Sequence, residues 1–411
     1  MPEVVITGIG LITPLGDEPS DVVERVLRNE SAAQPVPFSP PVFCRRFAPI
    51  VGFDAERHFP ENKTLRLMNR DAQLAVVAAR RAIQDAAIQP GVPNGSEDIA
   101  LYGATGLSGM ASEEVARLVR DAAAADGSLD LGRFGQVTLR RIRPVLSFKL
   151  LANMPICFVS IFEHLCGPNA VYTPWEGNGA QALAAGVRAV RSGDVPCALV
   201  GGCDVKTHAL SLVSLQQLGV FDSWKQHGCG CIPGEGAAFL VLEDRAQAER
   251  RGARVYAVVR SVQVRTVPDG SDPGGTYRDL LERALEGRGF PNSGGQRLDD
   301  HEAGVARSST AHPGAGGSSS ARPGGAPSLI LAADDGDAGR ADAEHAAWRA
   351  VGLDGTEILR PKTCLGNLFA AAAAVQVALA AELARGQRWR TLFVDCFGHG
   401  SEQAAFVLEA I

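Results

Sequence analysis

The residues best placed to do chemistry lie in one stretch, Gly167-Pro168-Asn169-Ala170-Val171-Tyr172-Thr173-Pro174-Trp175-Glu176-Gly177-Asn178-Gly179. Ala170 to Thr173 reads as a buried strand, the next residues as a sharp turn, and the Ala/Val-rich run from near Asn178 as a long helix. Such an elbow points a side chain into a cleft at a helix N-terminus, where many enzymes mount a nucleophile. Here that side chain is Glu176, neither Ser nor Cys. Burial would raise its pKa, whereas the helix N-terminus would lower it.

Other reactive groups read more plainly. His227-Gly228-Cys229-Gly230-Cys231 lacks the two-residue knuckle spacing and a second Cys/His pair, so it is taken as a tight turn and no metal is expected. Cys203 and Cys364 read as lone packing thiols. Asp334, Asp335 and Asp337 read as an acidic loop without a bound cation. Val4 to Gly16 (VVITGIGLITPLG) lacks the third glycine and the acidic residue of a dinucleotide site, which leaves a central strand and a turn.

The elements that must position these groups follow from periodicity. Asn69 to Ala87 carries apolar residues at three and four, with Arg80, Arg81 and Asp85 opposite, and predicts a helix. Further helices are expected at Asp21 to Arg28 (capped by Ser20), from Ser112 to about Ala125, within Val145 to Leu165, and at Ala180 to Arg191, Glu243 to Arg251, Thr276 to Arg288, Asp342 to Ala350 and Leu368 to Leu383. Strands are expected at Ile99 to Tyr102, Ala198 to Val200, Phe239 to Leu242, Arg254 to Val264 and Leu329 to Leu331. A closing hairpin should join Leu392 to Val394 with Ala405 to Leu408. The alternation implies a mostly parallel sheet covered by helices, an α/β protein. Residues 303–327, rich in Gly, Ser and Pro, predict a disordered insertion.

The chain has 411 residues, 45% of them apolar, which is enough for two core-forming units. A net charge of -6 with no basic run argues against nucleic acid as a partner. No membrane span and no export signal are read, so the nine cysteines are expected reduced in the cytoplasm.

Together these motifs resemble the β-ketoacyl synthases of the thiolase superfamily. The opening strand, Leu151-Ala152-Asn153-Met154, Gly167-Pro168-Asn169, Gly201-Gly202-Cys203-Asp204, Gly234-Glu235-Gly236-Ala237, the run from Lys362 to Ala371, and Phe397-Gly398-His399-Gly400 fall in that family's order. The resemblance implies a thiolase-like fold of two similar halves, 1–250 and 251–411. Each half would hold a five-stranded mixed sheet, stacked as α-β-α-β-α, with a dimer across the strand before the elbow.

It also implies chemistry that this chain lacks. The family uses an elbow Cys to carry the acyl chain and two His residues to promote decarboxylation and steady the oxyanion. The matching positions are Glu176 for the Cys and Asn367 for the second His. Counting back from Asp342 gives Asp334 for the first His, or Ala333 with a one-residue loop shift. Lys362 is retained. Loss of all three resembles the chain-length factors of type II polyketide systems, although those usually carry Gln at the elbow. The implied role is a non-condensing subunit that pairs with an active ketosynthase and an acyl carrier protein and sets polyketide or polyene length, with no cofactor. Trp175 would fill the acyl tunnel, and Phe397, Gly398 and His399 would form the closing loop. Met154, Phe162 and Leu165 would line the dimer seam or serve as ordinary core. Two alternatives stay open: an autonomous acyl-processing enzyme that uses Glu176 for malonyl decarboxylation, and a non-catalytic homodimeric scaffold.

Overall fold

The computed structural model describes residues 2–37, 42–59, 63–88, 99–107, 118–142, 145–267, 273–286 and 328–411. The expected insertion at 303–327 and the Ser112 cap lie outside the described residues.

The strands, in chain order, are β1 (Val4–Ile12), β2 (Gln34–Pro35), β3 (Arg46–Phe47), β4 (Ile99–Thr105), β5 (Asn169–Tyr172), β6 (Cys197–Val205), β7 (Glu235–Asp244), β8 (Ala257–Thr266), β9 (Ser328–Leu331), β10 (Glu357–Leu359), β11 (Thr391–Cys396) and β12 (Glu402–Glu409). The principal helices are α1 (Pro19–Leu27), α2 (Arg70–Asp85), α3 (Met154–Glu163), α4 (Glu176–Ser192), α5 (Pro273–Leu285), α6 (Ala338–Ala350) and α7 (Ala372–Arg385).

Ten strands form one ladder in the order β10-β9-β11-β12-β8-β1-β7-β6-β4-β5. The joint between β1 and β8 is only two residue pairs, Val5 with Val258 and Ile6 with Ala257. On each side of it the same pattern recurs. The first half takes its five strands in the order β5-β4-β6-β7-β1, and the second takes its five as β10-β9-β11-β12-β8. In both halves the three outer strands are parallel and the inner two join antiparallel. Helices α4 and α7 touch strands of both halves and form the central layer. Helices α2 and α3 cover the first sheet, and α5 and α6 the second, which gives the α-β-α-β-α stack.

Local chemistry explains the packing. Every residue of α7 from Ala372 to Ala384 is buried, as an Ala-rich helix between two sheets must be. Gly10 serves close packing, because a Cβ there would come within 2.0 Å of Ala78 O on α2. The glycines of the opening motif thus seat a helix.

Several boundaries differ from expectation. Helix α4 begins at Glu176 itself rather than near Asn178. Helix α1 has Glu18 at the N-cap, with Pro19 and Ser20 already in the first turn. The 145–165 segment divides into Val145–Leu150 and α3, and β7 extends to Asp244 before the next helix starts. The strand before the elbow is partly exposed instead of buried, because β5 ends the sheet and only β4 pairs with it. Among the described residues no helix is long and apolar enough to cross a membrane.

Candidate functional site

Four segments meet at the start of α4: the elbow, the loop after β9, the short helix Pro361–Leu365 with the turn that follows it, and the loop joining β11 to β12. At the elbow, Trp175 N–H donates to Asn178 Oδ1 at 3.0 Å, and Asn178 N–H returns a bond to Trp175 O at 3.1 Å. This closes the first turn and fixes Glu176 at the helix N-terminus.

Glu176 is 1% exposed. Its Oε1 accepts from Asn367 Nδ2 at 2.7 Å and lies 3.2 Å from His399 Nδ1. Its Oε2 accepts from His399 N–H at 3.1 Å. Lys362 Nζ, also buried, stands 3.9 Å from Oε1 and donates to Phe397 O at 3.0 Å. Burial pushes the Glu176 carboxyl up, but His399, Lys362 and Asn367 outweigh it and hold the group well below the ordinary carboxylate range. The site is therefore a carboxylate held ionised by donors on several sides.

Asn367 is fully buried and links three of these segments. Its Nδ2 donates to Glu176 and, at 3.0 Å, to Asp335 Oδ2. Its Oδ1 accepts from Phe369 N–H at 2.9 Å, bracing Phe369 at a left-handed φ of 47°. The buried Phe369 ring then packs near Trp175 and His399, with the three ring centroids 5.7 to 6.1 Å apart.

In the acidic loop Asp334 turns away from Glu176. That residue turns to Arg360 at 3.3 Å and caps Gly336 N–H at 2.8 Å. Asp335 faces Asn367 instead, and Arg340 grips both its oxygens at 2.9 and 3.0 Å. Burial raises the Asp335 pKa, but Arg340, Lys362 and His399 prevail and lower it. Asp335 lies just before α6 and Arg340 in its first turn.

Gly398 meets the carboxylate without a side chain, since a Cβ there would lie 2.2 Å from Glu176 Oε1. Trp175, Phe397, Gly398 and His399 thus lie close to Glu176 or to the groups that hold it. Leu165 belongs to the core cluster that includes residues of α2 and β4, the partly buried Met154 and Phe162 pack against it, and Phe162 meets Phe59 edgewise with centroids 5.3 Å apart. Cys203 and Cys364 are buried, and burial raises both thiols, which favours the protonated form. Phe369 and Asp335 were missed by sequence reasoning as site residues.

The arrangement can hold a negative charge, and its nearest donors are already spent on that charge. A carboxylate cannot carry the acyl thioester of a condensing cysteine.

Comparison with known proteins places these features in context. The β-ketoacyl synthase N-terminal domain matches residues 1–248. The 3-oxoacyl-[acyl-carrier-protein] synthase 2 of Staphylococcus aureus strain COL is 25% identical over 268 residues, covering 62% of this chain and 61% of the relative. The Vibrio cholerae protein of the same name gives 25% over 269 residues, with 62% and 61% covered. The chain thus spans about three fifths of the length of the curated relatives it matches. Among solved structures, a β-ketoacyl synthase from Burkholderia phymatum superposes with a TM-score of 0.76 at 18% identity, covering 100% of both chains. The ishigamide ketosynthase/chain length factor gives 0.75 at 21%, covering 100% of this chain and 99% of that one. A type II polyketide synthase acyl carrier protein in complex with its hexaketide-bound ketosynthase gives 0.73 at 15%, with 100% of both chains covered. At these identities the likeness establishes the fold.

Proposed function

The chain belongs to the β-ketoacyl synthase family, and from that premise we propose that it is a non-condensing, chain-length-factor-like subunit that pairs with an active ketosynthase. One observation carries the reading: the elbow holds Glu176, buried, ionised and ringed by Asn367, His399 and Lys362. The chain keeps the scaffold of a condensing enzyme, while condensation belongs to the partner's intact Cys-His-His. The ketosynthase/chain length factor among its structural neighbours supports this division of labour. The half-exposed edge strand β5, with Phe148, Leu151 and Ile161 exposed nearby in sequence, supports a partner on that side. An acyl carrier protein serving the pair follows from the same reading.

Decarboxylation by Glu176 is the weaker alternative. A malonyl carboxylate approaching this elbow would meet an ionised group of the same sign, with the neighbouring donors already engaged.

Co-expression with a ketosynthase bearing intact Cys-His-His, followed by assay with malonyl-loaded carrier protein, tests the proposal. A one-to-one complex is expected, active only as the pair, and still active with Glu176→Gln. Decarboxylase activity of the isolated chain that vanishes in the Gln variant would overturn it, as would an inert homodimer that ignores the ketosynthase.

A further inference from the structure

Cys231, Asp335 and His399 come from three separate segments, yet each offers one ligand atom and all of these atoms lie within 4.8 Å of one another. We propose that they form a binding site for a thiophilic divalent cation, zinc by its chemistry. One thiolate, one imidazole and one carboxylate are a donor set that a tetrahedral d10 ion takes readily, and three protein ligands leave a fourth position for water or an exogenous donor.

The surroundings fit such a site. Cys231 and Asp335 are buried, and His399 is partly buried. The Cys231 backbone is fixed, because its carbonyl accepts from Trp224 Nε1 at 2.8 Å and from Cys44 Sγ at 3.7 Å. The loop of Asp335 lies directly on the loop of Cys231: a Cβ on Gly336, whose φ is 93°, would stand 3.0 Å from Gly230 O. His399 Nδ1 faces Glu176 Oε1 at 3.2 Å. A carboxylate beside a ring nitrogen orients the imidazole, as at many histidine-ligated metals. Asp335 accepts from Arg340 on both oxygens, from Asn367 on one and from Asp337 N–H on the other at 3.4 Å, so an ion would take the place of that long bond. Arg340 and Lys362 offset the two carboxylates, so the affinity depends on the Cys231 thiolate formed as the ion binds. The exposed Cys229, two residues away, is not part of the group. Such an ion would tie the 229–236 segment, the loop after β9 and the loop between β11 and β12 into one brace beside the elbow.

The test uses the full chain, purified without a histidine tag, exposed to Zn2+ or Co2+ and desalted. Roughly one equivalent of zinc per chain is expected by elemental analysis, and Co2+ should give a near-ultraviolet thiolate charge-transfer band. Cys231→Ser and His399→Gln should lose both signals, and Cys229→Ser should keep them. Absence of the charge-transfer band from the wild-type protein overturns the proposal, independently of how the variants fold. Zinc retained equally by folded Cys231→Ser also overturns it.

Discussion

A buried carboxylate persists only where its charge is answered at close range, and at Glu176 the answer comes from positions 191 and 223 residues away in sequence. Because the Glu176 carboxyl is held below its unfolded value, it contributes stability that is complete above the ordinary carboxylate range. That stability is lost as pH falls toward the folded value. Glu176→Gln should therefore flatten the acid limb of a stability-versus-pH curve measured by chemical denaturation, and a variant curve parallel to the wild type would contradict this. Asn367→Ala strips one donor from each of two buried carboxylates and frees Phe369 N–H. A loss of about 2–3 kcal/mol is expected in the same measurement. The neighbouring acids should separate clearly. Asp335→Ala leaves Arg340 facing an empty, buried place and should cost about 3–5 kcal/mol. Asp334→Ala breaks a more exposed pair with Arg360 and should cost under about 1 kcal/mol.

At the scale of elements, the closing loop and α4 are fitted to each other without slack. Gly398→Ala would drive a methyl group against the Glu176 carboxylate. Overpacking of this kind costs about 1–3 kcal/mol. Either the loop between β11 and β12 moves away or the carboxylate does, so loss of His399 amide protection in hydrogen exchange is the expected sign. An unchanged His399 amide in a stable Gly398→Ala variant would show that the loop is looser than its contacts imply. Phe369 is the second fitted element: fully buried, it fills the space between Trp175 and His399 and is pinned by Asn367.

At the scale of the whole molecule, the second half carries a buried acid pair behind the site. Glu344 accepts from Ala333 N–H at 2.7 Å, ahead of the Asp335 loop, and Asp395 on β11 accepts from Trp348 Nε1 at 2.7 Å. Burial pushes Asp395 up to about 6 and Glu344 well above its ordinary value. A raised carboxyl favours the protonated form in the fold. Stability from this pair is therefore greatest in acid and declines as pH rises from the ordinary carboxylate range through about 6. Asp395→Asn should shrink that decline, leaving the part due to Glu344, so its melting temperature should gain on the wild type between pH 5 and pH 8; equal pH dependence would refute the assignment. Sequence alone determined the alternation of strands and helices, the strand-turn-helix elbow with Glu176 at its turn, and the short motifs that carry Lys362 and Asn367. Those features are local, written in periodicity, turn residues and short motifs. Tertiary structure decided the rest: that Asp335 rather than Asp334 faces the elbow, that His399 and Lys362 answer the Glu176 charge, that Phe369 fills the space beside it, and that Cys231 stands with Asp335 and His399. These pairings join residues far apart in sequence, and only the docking of the sheets on one central helical layer brings them together.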